Sequence, residues 1–205
     1  MHDRTKSGPD RDSLLKVATE QGGYFTAAQA AQCGFSKALL AHHRKKGGFT
    51  RVGHGLYRFP EYPPSPREEV MIAWLAAGRD VAVVSHESAL DLLGLSDVVP
   101  QAVHITVPRS KRYRPTPQGV AIHTTTRELG NGDVVSRDGI RVTSPVRSIV
   151  DAAQAGAAPE QVIVSVNQAV ERGMATAPQL LKAASKRGGR VERLVREALS
   201  REIEG

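Results

Sequence analysis

A single cysteine, Cys33, stands among 205 residues. That excludes an intrachain disulfide framework and removes the thiolates on which structural zinc sites are usually built. A reducing, cytoplasmic setting is expected. No run of residues approaches the roughly 20 apolar positions needed to cross a bilayer, and the opening MHDRTKSGPDRD has no apolar core of a signal peptide. A soluble chain with no membrane partner follows. Aromatics make up only 4% of the sequence, a bias that a GC-rich genome produces as readily as function does, so it is given no weight. Among the motifs of enzymes, G-x-x-x-x-G-K-S/T, G-x-G-x-x-G after a strand and G-x-S-x-G are all missing, which leaves phosphate-cradling and serine-hydrolase chemistry without a foothold.

The most informative absence is local. From Gln21 to Pro60 there is no Asp or Glu, and residues 1–60 hold ten basic and four acidic side chains, a net +6 of the chain's +7. The remaining residues, with 18 basic and 17 acidic, are almost neutral. A polyanionic partner for the first third is implied, because a surface without carboxylates offers phosphates no repulsion.

Capping and turn residues divide that third. Residues 1–10 read as a polar arm, followed by a helix carrying Leu14, Leu15 and Ala18 on one face. Tyr24-Phe25 is a short extended piece. Thr26 with Gln29 three residues on forms a capping box for a second helix, which Gly34 ends, and Ser36 caps a third over Lys37–Lys46, stopped by Gly47-Gly48. Two β-runs, Phe49–Val52 and Leu56–Phe59, flank Gly53-His54-Gly55, whose glycines suit a tight hairpin. Helix, helix, turn, helix, hairpin is the order of a winged helix-turn-helix. Four prolines between Pro60 and Pro66 stiffen the chain; the first domain is placed at residues 1–60 and the second at 65–205.

On a helical wheel, Leu39, Leu40 and His43 share one side of the third helix, while Lys37, Ala38, Ala41, His42 and Lys45 take the other. Arg44 and Lys46 fall on the flanks, where long cations reach phosphates, and the alanines keep the exposed face low enough to enter a major groove. The candidate DNA-binding set is therefore Ser36, Lys37, His42, Arg44, Lys45 and Lys46 with Arg51, His54 and Arg58 of the wing. A solvated basic helix and a protein-binding winged helix are the alternatives.

Beyond the prolines, Ser65, Pro66 and Glu68 predict a helix to about Ala77, and Val81–Val84 a buried strand. Ser85 caps a short helix ending at Gly94, Val103–Val107 and Val120–Thr125 alternate as strands, and Arg137-Asp138-Gly139 turns a hairpin between Val134-Val135 and Ile140–Val142. From Ser144-Pro145 onward the pattern is helical, broken at Gly156–Pro159, Gly173–Pro178 and Gly188-Gly189. The predicted class is α+β: a winged helix-turn-helix, then a mixed α/β domain with a helical C-terminal part.

The segments Tyr24–Ala30, Gly34-Phe35-Ser36 and Phe49–Arg58 resemble the N-terminal domain of AbiEi-family antitoxins. Ser85–Leu95, Val103–Pro108 and Gly139–Asp151 extend the resemblance over residues 12–155. It implies a bacterial antitoxin that represses its own operon at an inverted repeat in double-stranded DNA and opposes a nucleotidyltransferase-like toxin. Some relatives carry a further nuclease-like domain, which is not expected within these 205 residues.

Other constellations are blander. His86-Glu87 has the start of a zinc-protease motif, but Leu90 occupies the position of the second histidine, so both residues read as the first turn of the helix capped by Ser85 and no metal or cofactor is assigned. His104 and His123 occupy strand positions, where hydrogen-bonded or surface roles are usual; pairing across a sheet is left open. Asp151 reads as an ion-pair partner of Arg147 one turn earlier. Arg109, Lys111, Arg112 and Arg114 surround Tyr113 in a loop that either touches DNA or toxin or is simply solvated. A nuclease would need clustered carboxylates for metal ions, and no such signature stands at a strand end. A non-enzymatic protein is expected, with a stand-alone winged-helix regulator as the alternative to an antitoxin, including one with a small-molecule pocket.

Overall fold

The computed structural model describes residues 8–97, 99–113 and 117–201. The chain divides into two compact units between Ala76 and Ala77.

In the first unit, α1 (Arg11–Thr19) begins where the Asp10 carboxylate accepts the Ser13 N–H at 2.9 Å. β1 (Tyr24–Thr26) leads into α2 (Ala27–Gln32), whose capping box is complete: Gln29 N–H donates to Thr26 Oγ1, and Thr26 N–H donates to Gln29 Oε1. α3 (Lys37–Lys45) starts at Ser36, whose Oγ accepts the Leu39 N–H at 3.1 Å. β2 (Thr50–Gly53) and β3 (Leu56–Arg58) form the wing hairpin. The Tyr24-Phe25 piece is not isolated, because β1 pairs antiparallel with β3, Phe25 opposite Tyr57, making a sheet of order β1-β3-β2. Phe25 lies at its centre, with ring centroids 5.0 Å from Phe49 and 5.2 Å from Phe59. Leu14, Ala18, Ala30, Phe35 and Leu40 close this core.

Gly23 shows what the tight entry to β1 requires. Its φ of +92° lies in the left-handed region, and an added Cβ would sit 2.3 Å from Cγ of Tyr62. Gly23→Ala should therefore cost about 2 kcal/mol, from backbone strain and the forced shift of a ring root. Chemical denaturation followed through Trp74 fluorescence checks this; an unchanged midpoint would show that Tyr62 moves freely.

The helix predicted from Pro66 begins two residues later, as α4 (Glu68–Ala77). Ser65 Oγ accepts from the Arg67 N–H, and Glu68 Oε1 accepts from the Tyr24 hydroxyl at 2.8 Å, so neither residue forms the capping box that the spacing allowed.

In the second unit, the strand expected at Val81–Val84 shortens to β4 (Val83–Val84), because the N–H groups of Val81 and Ala82 turn back to the Gly78 carbonyl. Then come α5 (His86–Leu92), β5 (Val103–Pro108), β6 (Val120–Thr125), and the hairpin of β7 (Val134–Arg137) and β8 (Ile140–Thr143). The sheet order is β6-β5-β4-β8-β7, with β5 parallel to β6, β4 parallel to β8, and the other two pairings antiparallel. At the hairpin tip Asp138 and Gly139 have φ of 51° and 78°, the left-handed pair that a two-residue turn of matching twist demands.

Four helices follow: α6 (Pro145–Ala155), α7 (Pro159–Glu171), α8 (Ala177–Arg187) and α9 (Gly189–Arg201). Proline in the first turn opens α6, α7 and α8, and glycine follows the ends of α6 and α8, the asymmetry that a missing N–H and a permissive φ favour. Leu90, Leu95, Ile149, Val162, Val166, Leu180 and Val195 are among the buried residues of one apolar cluster. Residues beyond 156, which carried no recognisable sequence signature, thus supply much of this core. Among the described residues no helix is long and apolar enough to cross a membrane.

Candidate nucleic-acid interface

The two faces of α3 separate as its wheel predicts. Leu40 is buried, Leu39 and His43 are half-buried, and the His43 ring lies 5.0 Å from Phe49 and 5.7 Å from Phe35. Ser36, Lys37, Ala38, Ala41, His42, Arg44, Lys45 and Lys46 are exposed. Within the described residues, none of Lys37, Arg44, Lys45 and Lys46 is held in an ion pair, in keeping with the lack of acids from Gln21 to Pro60.

The wing arginines differ from each other. Arg51 is exposed, with its Nε donating to the Gly53 carbonyl at 3.0 Å, and His54 is exposed at the tip. Arg58 is half-buried, donates to the Tyr62 carbonyl, and lays its guanidinium 5.9 Å from the centroid of Tyr24. Arg51 and His54 are thus exposed on the wing, whereas Arg58 ties β3 to the segment that follows it. The difference rests on Tyr62, just past the wing, and on Tyr24, which is distant from it in sequence.

In the second unit, Arg109–Lys111 form a single 3-10 turn, and Arg112 stacks over the exposed Tyr113 with its Nη2 donating to the phenol oxygen at 2.8 Å. Arg109, Lys111 and Arg112 are exposed. Arg114 lies outside the described residues.

A second cluster of polar side chains gathers where α5, β5, β6 and α6 meet. Asp151 is 5% exposed, yet accepts from Arg147 Nε at 2.5 Å and from Arg187 Nη2 at 2.6 Å. The i,i+4 pair expected from sequence is present, and Arg187 from α8 completes it. His104 Nδ1 lies 3.0 Å from His123 Nε2, and the His86 and His123 rings stack with centroids 3.6 Å apart. Burial, reinforced by the neighbouring histidines and arginines, pushes His86 down to about 3, and burial lowers His104 and His123 as well.

Ser85 occupies the N-cap position of α5 without capping it. Its hydroxyl instead meets His86 Nδ1 at 2.9 Å and accepts from Thr106 Oγ1 at 2.7 Å. His86 is also one of two described non-glycine residues with positive φ, at 54°. No local motif announces this cluster, because parallel pairing of β5 with β6 places His123 opposite Thr106, two residues from His104.

Residues 12–60, which hold α3 and the wing, match the family model described as transcriptional regulator, AbiEi antitoxin. Over this segment the chain is similar to the AbiEi antitoxin family. The AbiEi match ends before the second unit begins. No curated protein is significantly similar to the chain. The crystal structure of the RV2827C protein from Mycobacterium tuberculosis is similar in fold, with a TM-score of 0.57 and 16% identity over 94% of this chain and 79% of that one. The likeness therefore extends past the AbiEi segment into the second unit, as a likeness of fold alone.

Proposed function

We propose that this chain is a bacterial antitoxin acting in the cytoplasm without catalysis of its own. It binds operator DNA through α3 and the wing, represses its own operon, and opposes a nucleotidyltransferase-like toxin. The observation that carries the reading is the acid-free face on which Lys37, His42, Lys45 and the small Ala38 and Ala41 are exposed together. Lys37 and Lys45 sit at opposite ends of one exposed helical stripe, with Arg44 and Lys46 beside it. Such a stripe fits a major groove with cations meeting the phosphates on either rim.

Arg51 and His54 lie along the backbone next to that groove. Arg51→Ala should weaken binding several-fold across all sequences and leave base preference unchanged, as removal of a phosphate contact does. Arg58→Ala should instead lower the melting temperature, since its contacts are to Tyr62 and Tyr24. Fluorescence-anisotropy titrations with promoter and scrambled duplexes separate the two outcomes; a change in preferred bases for Arg51→Ala would contradict the assignment.

The second unit, with 17 basic and 14 acidic side chains, is assigned to toxin antagonism, since its mixed charge suits contact with a protein. Its exposed Arg109, Lys111 and Arg112 are offered as a secondary contact. Co-expression of the chain with the toxin encoded beside it tests this part, scored by growth. Rescue by the full chain is expected, and growth arrest despite soluble antitoxin, or an isolated gene, would favour a stand-alone regulator.

A further inference from the structure

We propose that His86, His104 and His123 form a site for one divalent transition-metal ion of zinc-like character in the second unit. Each offers a ring nitrogen, and the three nitrogens lie within 4.8 Å of one another. Zinc–imidazole bonds of about 2.0–2.1 Å place two ligands of one tetrahedral ion roughly 3.3 Å apart. The 3.0 Å between His104 Nδ1 and His123 Nε2 is close to that edge. The ligands come from α5, β5 and β6, so an ion would fasten the edge strand β6 to its neighbour and to the helix.

Metal-bound histidines have their second nitrogen oriented by an oxygen, and oxygens stand beside the second nitrogens of His104 and His86. His104 presents Nδ1 to His123, while its opposite nitrogen, Nε2, lies 3.7 Å from Glu87 Oε2. His86 Nδ1 lies 2.9 Å from the Ser85 hydroxyl, itself fixed by Thr106; with Nδ1–H donating to that hydroxyl, Nε2 keeps the lone pair that a ligand needs. Ser85 and Thr106 are both buried, so this orientation is built into the core. His86 keeps a left-handed backbone at a residue where a Cβ makes it costly, a strain that tends to persist at functional positions.

The charges facing the cluster balance. Arg147 and Arg187 oppose a dication, but both are paired with Asp151, and Glu87 adds a second carboxylate. An all-imidazole donor set selects zinc, cobalt, nickel or copper over magnesium and calcium, which prefer oxygen. Three protein ligands also leave a coordination position for a further ligand. A cavity of ≈ 280 Å³ lined by His86, His123, Thr124, Arg147 and Arg187 adjoins the cluster.

The full chain, stripped with chelator, is titrated with Co(II) and then with Zn(II). The expected result is a visible Co(II) absorption band that saturates at one equivalent and is abolished by Zn(II). Hydrogen exchange should slow in the segments holding His86, His104 and His123, and not in the segment from His42 to His54. His104→Gln and His123→Gln, confirmed as folded by circular dichroism, should each weaken Zn(II) binding at least about 100-fold, and Glu87→Gln about 10-fold. Absence of stoichiometric uptake by the wild-type chain would overturn the proposal and identify the cluster as a hydrogen-bonded histidine stack. Protection confined to residues 42–54, or wild-type affinity in the folded variants, would overturn it too. Because the wild-type titration and exchange need no substitution, the outcome does not depend on the variants folding.

Discussion

Lys37→Ala combined with Lys45→Ala should reduce affinity for the chain's own promoter on the order of 10- to 100-fold near 0.1 M salt while the protein stays folded. Both side chains are exposed on α3, and within the described residues neither is in an ion pair, so their removal leaves no buried charge behind. The size of the effect follows from counterion release: each phosphate contact contributes about 0.9 to the slope of log affinity against log salt. The double variant should therefore be less salt-sensitive by about two slope units. Alanine is also a better helix former than lysine, which makes loss of fold an implausible source of the change. Retained affinity and slope in the folded variant would move the interface off α3.

The largest stability effect is expected at Asp151→Ala. This carboxylate is buried and holds Arg147 of its own helix together with Arg187 of α8, while Arg147 also approaches Asp133 at 3.8 Å. Removing it leaves two guanidinium groups, 18% and 29% exposed, without their closest counter-charge. Breaking a buried pair in this way costs about 3–5 kcal/mol, and partial exposure of both arginines places the expected cost near the lower end, about 3 kcal/mol. A loss of that size lowers a melting temperature by roughly 10 °C in a unit of this length. Asp151→Asn keeps the shape and one acceptor, so it should cost less. Hydrogen exchange in α6 and α8 reads the change where it occurs. Wild-type protection in Asp151→Ala would mean that the arginines find water or other partners at no cost.

The first unit was readable because its signals are local. Thr26 with Gln29, Ser36 before Lys37, and the glycines around His54 each fix a helix start or a turn within a few residues, and each is found where its spacing places it. The same locality explains which contacts were not legible. Arg58 reads as a wing cation until Tyr24 and Tyr62 are seen to hold it, and Glu68 reads as a capping partner until the Tyr24 hydroxyl claims it. In the second unit the helix boundaries were legible from proline and glycine, but the histidine cluster was not. It depends on the register between β5 and β6 and on the turn that lets His86 face them, and neither leaves a trace in residue spacing. Residues beyond 156 show helical periodicity, yet which core their apolar faces fill is set by packing across the chain.

The most direct test of the proposed role measures binding of the full chain to the DNA upstream of its own reading frame, alongside an unrelated duplex of equal length, from 50 to 300 mM salt on the scale where counterion release is about linear. The expected result is at least about 10³-fold tighter binding to the upstream DNA, a steep negative salt slope for both duplexes, and a lower slope in the Lys37→Ala, Lys45→Ala variant. Equal affinity for both duplexes at every salt concentration, or binding indifferent to salt, would contradict operator recognition through α3.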